Sequence, residues 1–239
     1  MTADETDIRI RNTTAADFAG IGALCRRVYP ETCPWTPEQL GDHLRVFPEG
    51  QFVAVCGDDE HVVGMCSSLI IKWDHYDMFD DWDEFTAKGT LANHDAEHGH
   101  TLYGVEAIVD PAMQGHGLGH KLVQAQKTLA AAKGLWRMRG GARLRDYHHH
   151  AGRMTAPDYV IAVVHGQIVD HTLTFHLHEG FHVLAVVPHY LTDDSETLGY
   201  AALVEWLNPD AIEPHHYSDR PTRFLHRDVV RQHHPQASR

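Results

Sequence analysis

With 239 residues, 43% of them hydrophobic and 22% charged, the chain has room for one generous soluble domain with a large core. Its formal charge of −13 excludes nucleic acid as the expected partner, because phosphate binding needs clustered Lys and Arg. No run approaches the ~18 apolar residues of a membrane span, and the acidic start MTADETDIRI lacks an apolar signal core, so the expected location is cytoplasmic, with no membrane partner.

Ile8-Arg9-Ile10-Arg11 alternates and predicts a first strand. Phe18, Ile21, Leu24, Cys25 and Val28 then recur at helical spacing, which predicts a helix within residues 15–29. After the break Cys33-Pro34-Trp35-Thr36-Pro37, Thr36 and Gln39 form a capping-box pattern for a helix reaching Phe47. Residues 52–56 and 61–71 predict two strands joined at Gly57-Asp58-Asp59-Glu60, a turn that sets Cys56 opposite His61 and away from Cys66. Cys25, Cys33, Cys56 and Cys66 include no CxxC pair, so reduced, partly buried thiols are expected rather than a disulfide framework.

Residues 72–100 are rich in Asp, His and aromatics and show no period. They predict a long inserted loop with one short helix near 81–88. Asp77, Asp80, Asp81, Asp83 and Glu84 gather there. Such a loop either acts as a lid that attracts a cationic amine, with Trp82 and Phe85 giving specificity, or only aids solubility.

Residues 101–109 predict a strand with Tyr103, Val105, Ala107 and Val109 on one face and Leu102, Gly104, Glu106 and Ile108 on the other. A helix follows, with Leu118, Leu122, Ala125 and Leu129 as its apolar stripe and Gly134 suited to its end. A strand at 135–139, a loop to 156, a short helix opened by Pro157-Asp158-Tyr159, and strand or helix-strand elements at 173–177, 181–187 and 200–206 complete the order. The expected organisation is a single domain over 7–208, followed by a charged, weakly patterned surface arm over 209–239.

Between the strand and the helix lies VDPAMQGHGLGHKLV, residues 109–123. Unpaired amides at a helix N-terminus, beside glycines that let an anion approach, make a ready anion site. A Walker A loop needs GxxxxGK[ST], and no Lys-Ser or Lys-Thr follows. A Rossmann fingerprint would need glycine where His120 stands and an acidic residue on the next strand. Gln114-Gly115-His116-Gly117-Leu118-Gly119 instead resembles the pyrophosphate-binding motif Q/R-x-x-G-x-G/A of GNAT-type acyltransferases, and the preceding elements stand in that family's order. Glu179-Gly180-Phe181 resembles the turn before the family's last strands. WDEFT at 82–86, GGAR at 140–143 with Tyr147, Leu173-Thr174-Phe175 and Gly199-Tyr200 resemble, more narrowly, the acetyltransferase-like domain often joined to a nitrilase-type hydrolase, whose hydrolase half is absent from these residues. A glycine turn of purely structural use is the competing interpretation.

The resemblance implies a mixed α/β fold, with a mostly antiparallel central sheet flanked by helices. It implies acetyl-CoA or another acyl-CoA as donor and a small-molecule primary amine as acceptor, attacking directly in a ternary complex. Ile108 and Val109 would offer backbone groups to the pantetheine arm, and a strand amide would polarise the thioester carbonyl. The amides of Gln114, Gly115, His116, Gly117, Leu118 and Gly119 would surround the pyrophosphate. An alkylamine with a pKa of about 10 needs a base, and the departing thiolate needs an acid.

Many family members carry a Glu three residues before the strand-ending Val, which implies Glu106 as base. A carboxylate amid apolar neighbours is costly unless hydrogen-bonded or used, so a structural Glu106 stays open. The family's acidic Tyr, about four residues before the Gly-Phe turn, corresponds to His176, and Tyr147 is a second acid candidate. A structural His176 stays open too. His148-His149-His150 and His171, His176, His178 and His182 lack HExxH or Cys/His spacing, so no metal is expected. A non-catalytic acyl-CoA-binding module is the alternative from another class, and a homodimer is one arrangement the sequence leaves open.

Protonating all 22 histidines would carry the formal charge from −13 to +9, so net charge changes steeply near the pI of 5.9. Solubility is expected to pass through a minimum near about pH 6. A flat solubility curve from about pH 5 to 8 would overturn this.

Overall fold

A computed structural model describes residues 8–31, 33–192, 194–217 and 220–225. Residue 7 and the 226–239 part of the expected arm lie outside the described residues. Residues 8–73 with 83–138, and residues 74–82 with 139–225, form two compact units. Nothing in the sequence pattern marks this division.

In the first unit β1 (Ile8–Asn12), β2 (Gln51–Cys56), β3 (His61–Ile71) and β4 (Thr101–Val109) pair in that order, each antiparallel to the next. The turn after β2 sets Cys56 opposite His61, as its residues predict. Helices α1 (Phe18–Val28) and α2 (Pro37–Val46) cover one face: Ile21, Leu24, Cys25 and Leu40 pack with Val53, Val55, Met65 and Ile108. The start of α2 has the chemistry its sequence predicts. Gln39 N–H donates to the Thr36 hydroxyl at 3.2 Å, Thr36 N–H donates to the Gln39 side-chain carbonyl at 3.0 Å, and Pro37 occupies the first turn.

The pairing of β4 with β3 slips once. Ser67 faces Glu106, but Ser68 faces Gly104, so Val105 is an extra residue, a β-bulge. Strict alternation along 101–109 therefore fails at Val105. Tyr103 opposite Leu69, Glu106 opposite Ser67 and Ile108 opposite Met65 share one face, whereas alternation would have separated Tyr103 from Glu106.

The short helix expected near 81–88 is α3 (Trp82–Thr86). In the first unit, residues 83–100 form an anchored loop: Phe85, Thr86 and Leu91 are buried, and Asp95 N–H donates to the Ile70 carbonyl at 2.8 Å. On the other face of the sheet α4 (Leu118–Ala132) buries Leu118 and Leu122 against Ala54, Cys56, Val63 and Cys66. Gly134, at φ +65°, ends it in the left-handed conformation its sequence predicts. Cys25, Cys56 and Cys66 are buried thiols, whereas Cys33 is exposed.

The second unit carries residues 139–143 of β5 (Arg137–Arg143), α5 (Ala156–Val164), α6 (His171–His178), β6 (His182–Val187) and β7 (Ala201–Leu207), with β7 between β5 and β6. The strand expected at 135–139 begins and ends later, because Leu135 N–H still closes the end of α4 on the Ala130 carbonyl at 2.9 Å. Residues 173–177, expected as a strand or helix-strand element, are helical. Asp170 stands at the start of that helix. Its carboxylate accepts from Thr172 N–H at 3.1 Å and Leu173 N–H at 2.8 Å, capping α6. It also accepts from the Tyr159 hydroxyl at 2.8 Å and Asp146 N–H at 3.1 Å. Within the stretch predicted as a surface arm, Phe224 is buried and Arg220 reaches Glu205 at 3.4 Å, so residues 220–225 are in part packed.

Asp170→Ala removes a helix cap and strands the buried Tyr159 hydroxyl, and should lower stability by about 2–4 kcal/mol. Urea unfolding followed by circular dichroism measures this; a loss below about 0.5 kcal/mol would contradict the Asp170 network.

Candidate active site

Strand β4 gives way to the glycine turn at Asp110. This buried carboxylate accepts from Ala112 N–H at 3.0 Å and from Arg27 Nε at 2.7 Å, while its own N–H donates to the Val63 carbonyl at 2.9 Å. The end of α1, the end of β4 and the start of the turn are thereby tied together. A single turn of 3-10 helix, Pro111–Met113, leads to Gln114 in extended geometry and then to Gly115 at φ +84° and Gly117 at φ +72°. Such angles cost an L-residue about 1–2 kcal/mol. Among the described residues, no heavy atom beyond the immediate chain neighbours lies within 4 Å of where a Cβ would stand at either glycine. The turn is therefore bare as well as left-handed.

Gly117 is the N-cap of α4, and Lys121 N–H closes the first helical bond on the Gly117 carbonyl at 3.1 Å. The amides of Leu118 and Gly119 precede that bond and have no intrahelical acceptor. A 15-residue helix adds the positive end of its dipole at the same place. Gln114, Gly115, His116 and Gly117 are exposed, while Leu118 is buried and anchors the turn to the core. Gln114, Gly115, His116, Gly117, Leu118 and Gly119 thus form one continuous surface suited to an anion. Just upstream, Val109 lies opposite Gly64 and Ile108 opposite Met65.

Glu106 is half-buried on the face that carries α1 and α2, and its Oε2 accepts from the indole N–H of Trp35. Cys25 lies close by: burial, then the Glu106 charge, pushes its thiol up to about 11. The Trp35 ring meets His43 edge-on, with centroids 4.9 Å apart and planes at 72°. His43 is buried, its Nε2–H donates to the Gly89 carbonyl at 2.7 Å, and burial lowers its pKa so that the ring stays neutral. Tyr103, brought to this face by the bulge, stacks on Phe85 at 4.6 Å, and Phe85 on Trp73 at 5.4 Å. Trp35, His43 and Tyr103 are residues that sequence reasoning did not single out. The available signal was modest: an indole beside the α2 cap, and a histidine on the buried side of α2 with Leu40.

The two acid candidates belong to the second unit. Tyr147 is buried with its ring near Tyr159 and Tyr200, and its hydroxyl donates to the Met154 carbonyl at 3.3 Å. Burial raises its pKa, so the hydroxyl keeps its proton. His176, on α6, donates Nδ1–H to the Thr172 carbonyl at 2.8 Å. His176 and His178 lie on a helix, so they do not share a face as they would in a strand. Among the described residues no three His, Cys, Asp or Glu side chains are grouped to hold a metal, and no helix is long and apolar enough to cross a membrane.

Residues 23–152 match the family described as "Acetyltransferase (GNAT) family". The chain is 39% identical over 213 residues to YhcX of Bacillus subtilis (strain 168), named "Probable hydrolase", with 89% of this chain and 41% of that protein aligned. It therefore spans about two-fifths of that relative's length. To YkwB of the same organism, named "Uncharacterized N-acetyltransferase", it is 33% identical over 205 residues, covering 84% of this chain and 89% of the relative. Among solved structures, the GphF GNAT-like decarboxylase in complex with isobutyryl-CoA shares the fold, with a TM-score of 0.69, 21% identity, and 84% and 99% of the two chains covered. A mixed α/β fold, a bare glycine turn opening a helix after β4, and these matches together establish that the chain belongs to the GNAT family of acetyltransferases.

Proposed function

We propose that this acyltransferase moves an acyl group from acetyl-CoA, or another acyl-CoA, to the primary amine of a small molecule, with Glu106 as the base. The observation that carries the reading is the Glu106 carboxylate, held by the Trp35 indole on β4 three residues before the strand gives way to the glycine turn. Acyl-CoA supplies an activated acyl group as a thioester.

The amides of Gln114, Gly115, His116, Gly117, Leu118 and Gly119 bind the pyrophosphate, with the α4 dipole adding to the attraction. The Arg27–Asp110 pair sets where that turn begins. Backbone groups of Ile108 and Val109 pair with the pantetheine arm, and a β4 N–H stabilises the developing oxyanion. Glu106 removes the proton from an ammonium of pKa about 10, directly or through one water. The freed amine nitrogen then bonds to the thioester carbon, the C–S bond breaks, and the sulfur leaves as thiolate. The thiolate then takes up a proton, for which His176 and Tyr147 are the two acid candidates; each already donates within the second unit, His176 to the Thr172 carbonyl and Tyr147 to the Met154 carbonyl. A Cys25 thiol near 11 is a poor nucleophile at neutral pH, which supports direct attack over an acyl-enzyme.

Release of CoA thiol from acetyl-CoA over a panel of polyamines, amino acids and aminoglycosides tests the reading. Glu106→Gln should lower kcat/KM for the amine that is turned over by about a hundredfold, with CoA affinity unchanged. Full activity in that variant would remove Glu106 from the mechanism, and tight CoA binding without turnover of any amine would favour a sensing module. Gly117→Val places a β-branched residue in a left-handed conformation and covers the bare surface, so the Kd for CoA should rise at least about tenfold by calorimetry.

A further inference from the structure

We propose that Trp35 is a positioning residue that fixes the Glu106 carboxylate for proton transfer, and that His43 braces Trp35 in that pose. The proposal rests on the Glu106 reading above. A glutamate side chain has several rotatable bonds and loses substantial entropy when held still. An indole has two, and Trp35 sits between Pro34, whose ring fixes its own φ, and Thr36, which precedes Pro37 and opens the capping box, so both its neighbours have restricted backbones. Its single N–H can hold only one carboxylate oxygen, here Oε2, and so cannot occupy both. An N–H donor also favours the ionised carboxylate, the form that a base must be in.

His43 explains why the indole stays where it is. Only 1% of its surface is exposed, yet its Nδ1 is buried with no hydrogen-bond partner among the described residues. A leucine would fill such a position on the apolar side of α2 without that cost. What the imidazole adds is one flat edge against Trp35 and one N–H on Gly89. Gly89 follows Phe85, which stacks on Tyr103 of the Glu106 face. His43 thus links the indole to the 83–100 loop. Titratable groups beside the pair include Cys25 on α1, whose thiol feels the Glu106 charge, and His43 on α2, whose ring meets Trp35. The Cys25 thiol, near 11, and the neutral His43 do not change charge as Glu106 ionises.

Trp35→Phe keeps an aromatic ring and removes the donor. The kcat/KM of the amine turned over in the panel should fall about tenfold or more. The acid limb of its pH profile should move upward, because the carboxylate loses a group that favours its charge. In the Glu106→Gln chain, Trp35→Phe should have no further effect, since positioning residue and target are then already uncoupled. His43→Leu should shift the limb in the same direction, and His43→Gln, whose amide can donate to Gly89, should restore it.

A carboxyl-carbon NMR titration of Glu106, assigned by its loss in Glu106→Gln, reads the same shift without any amine. A Glu106 titration that Trp35→Phe and His43→Leu leave unmoved overturns the proposal, as does an equal loss of activity in the Glu106→Gln background. Should Glu106→Gln prove fully active, the proton-transfer role falls. The NMR shift would then still report whether Trp35 holds the carboxylate, which keeps the two failures distinct. Thermal melting identifies a variant that does not fold, and the His43→Leu and His43→Gln pair then carries the test.

Discussion

The extra residue in β4 governs the site. A strand has a period of two, so residues three apart belong on opposite faces unless the pairing slips. Val105 has no counterpart on β3, and this single insertion brings Tyr103 to the side that already holds Glu106 and Ile108. That side receives α1, α2 and the 83–100 loop. Glu106 thereby meets a hydrogen-bond donor, Trp35, and shares its face with the Phe85–Tyr103 stack. Removing the extra residue would reverse one half of β4 and separate Tyr103 from Glu106.

A second constraint operates at the end of the same strand. Gly115 and Gly117 adopt positive φ, which lets the chain turn sharply from β4 into α4 while leaving the surface bare. Arg27 and Asp110 fasten the start of that turn, and Leu118 fastens its end in the core with Ala54 and Cys66. The Arg27–Asp110 clamp and a 15-residue helix fix where the amides of the turn stand.

Electrostatics around Glu106 follow from burial. The Cys25 thiol is pushed up and the His43 ring is kept neutral, because both lie in a core that disfavours charge. The carboxylate is tolerated there because the indole N–H partly replaces the water it gave up. In the second unit Asp170 follows the same logic: a fully buried carboxylate surrounded by donors, here supporting the start of α6.

Features governed by neighbouring residues were legible in the sequence. The Thr36–Gln39 capping box, the Cys56–His61 register, the Gly134 helix end and the glycine turn before α4 depend on contacts within a few positions, so local residue chemistry determined them. That Glu106 shares a face with Ile108 was also readable, because alternation between them needs only two residues. Tertiary structure decided the rest. The bulge at Val105 is a relation between two strands, and either strand alone appears regular. The Asp170 cap of 171–178 also accepts from Tyr159 and Asp146, donors that lie outside the segment. The pairing of Trp35 with Glu106 spans 71 positions, a separation over which periodicity carries no information and only packing brings donor to acceptor.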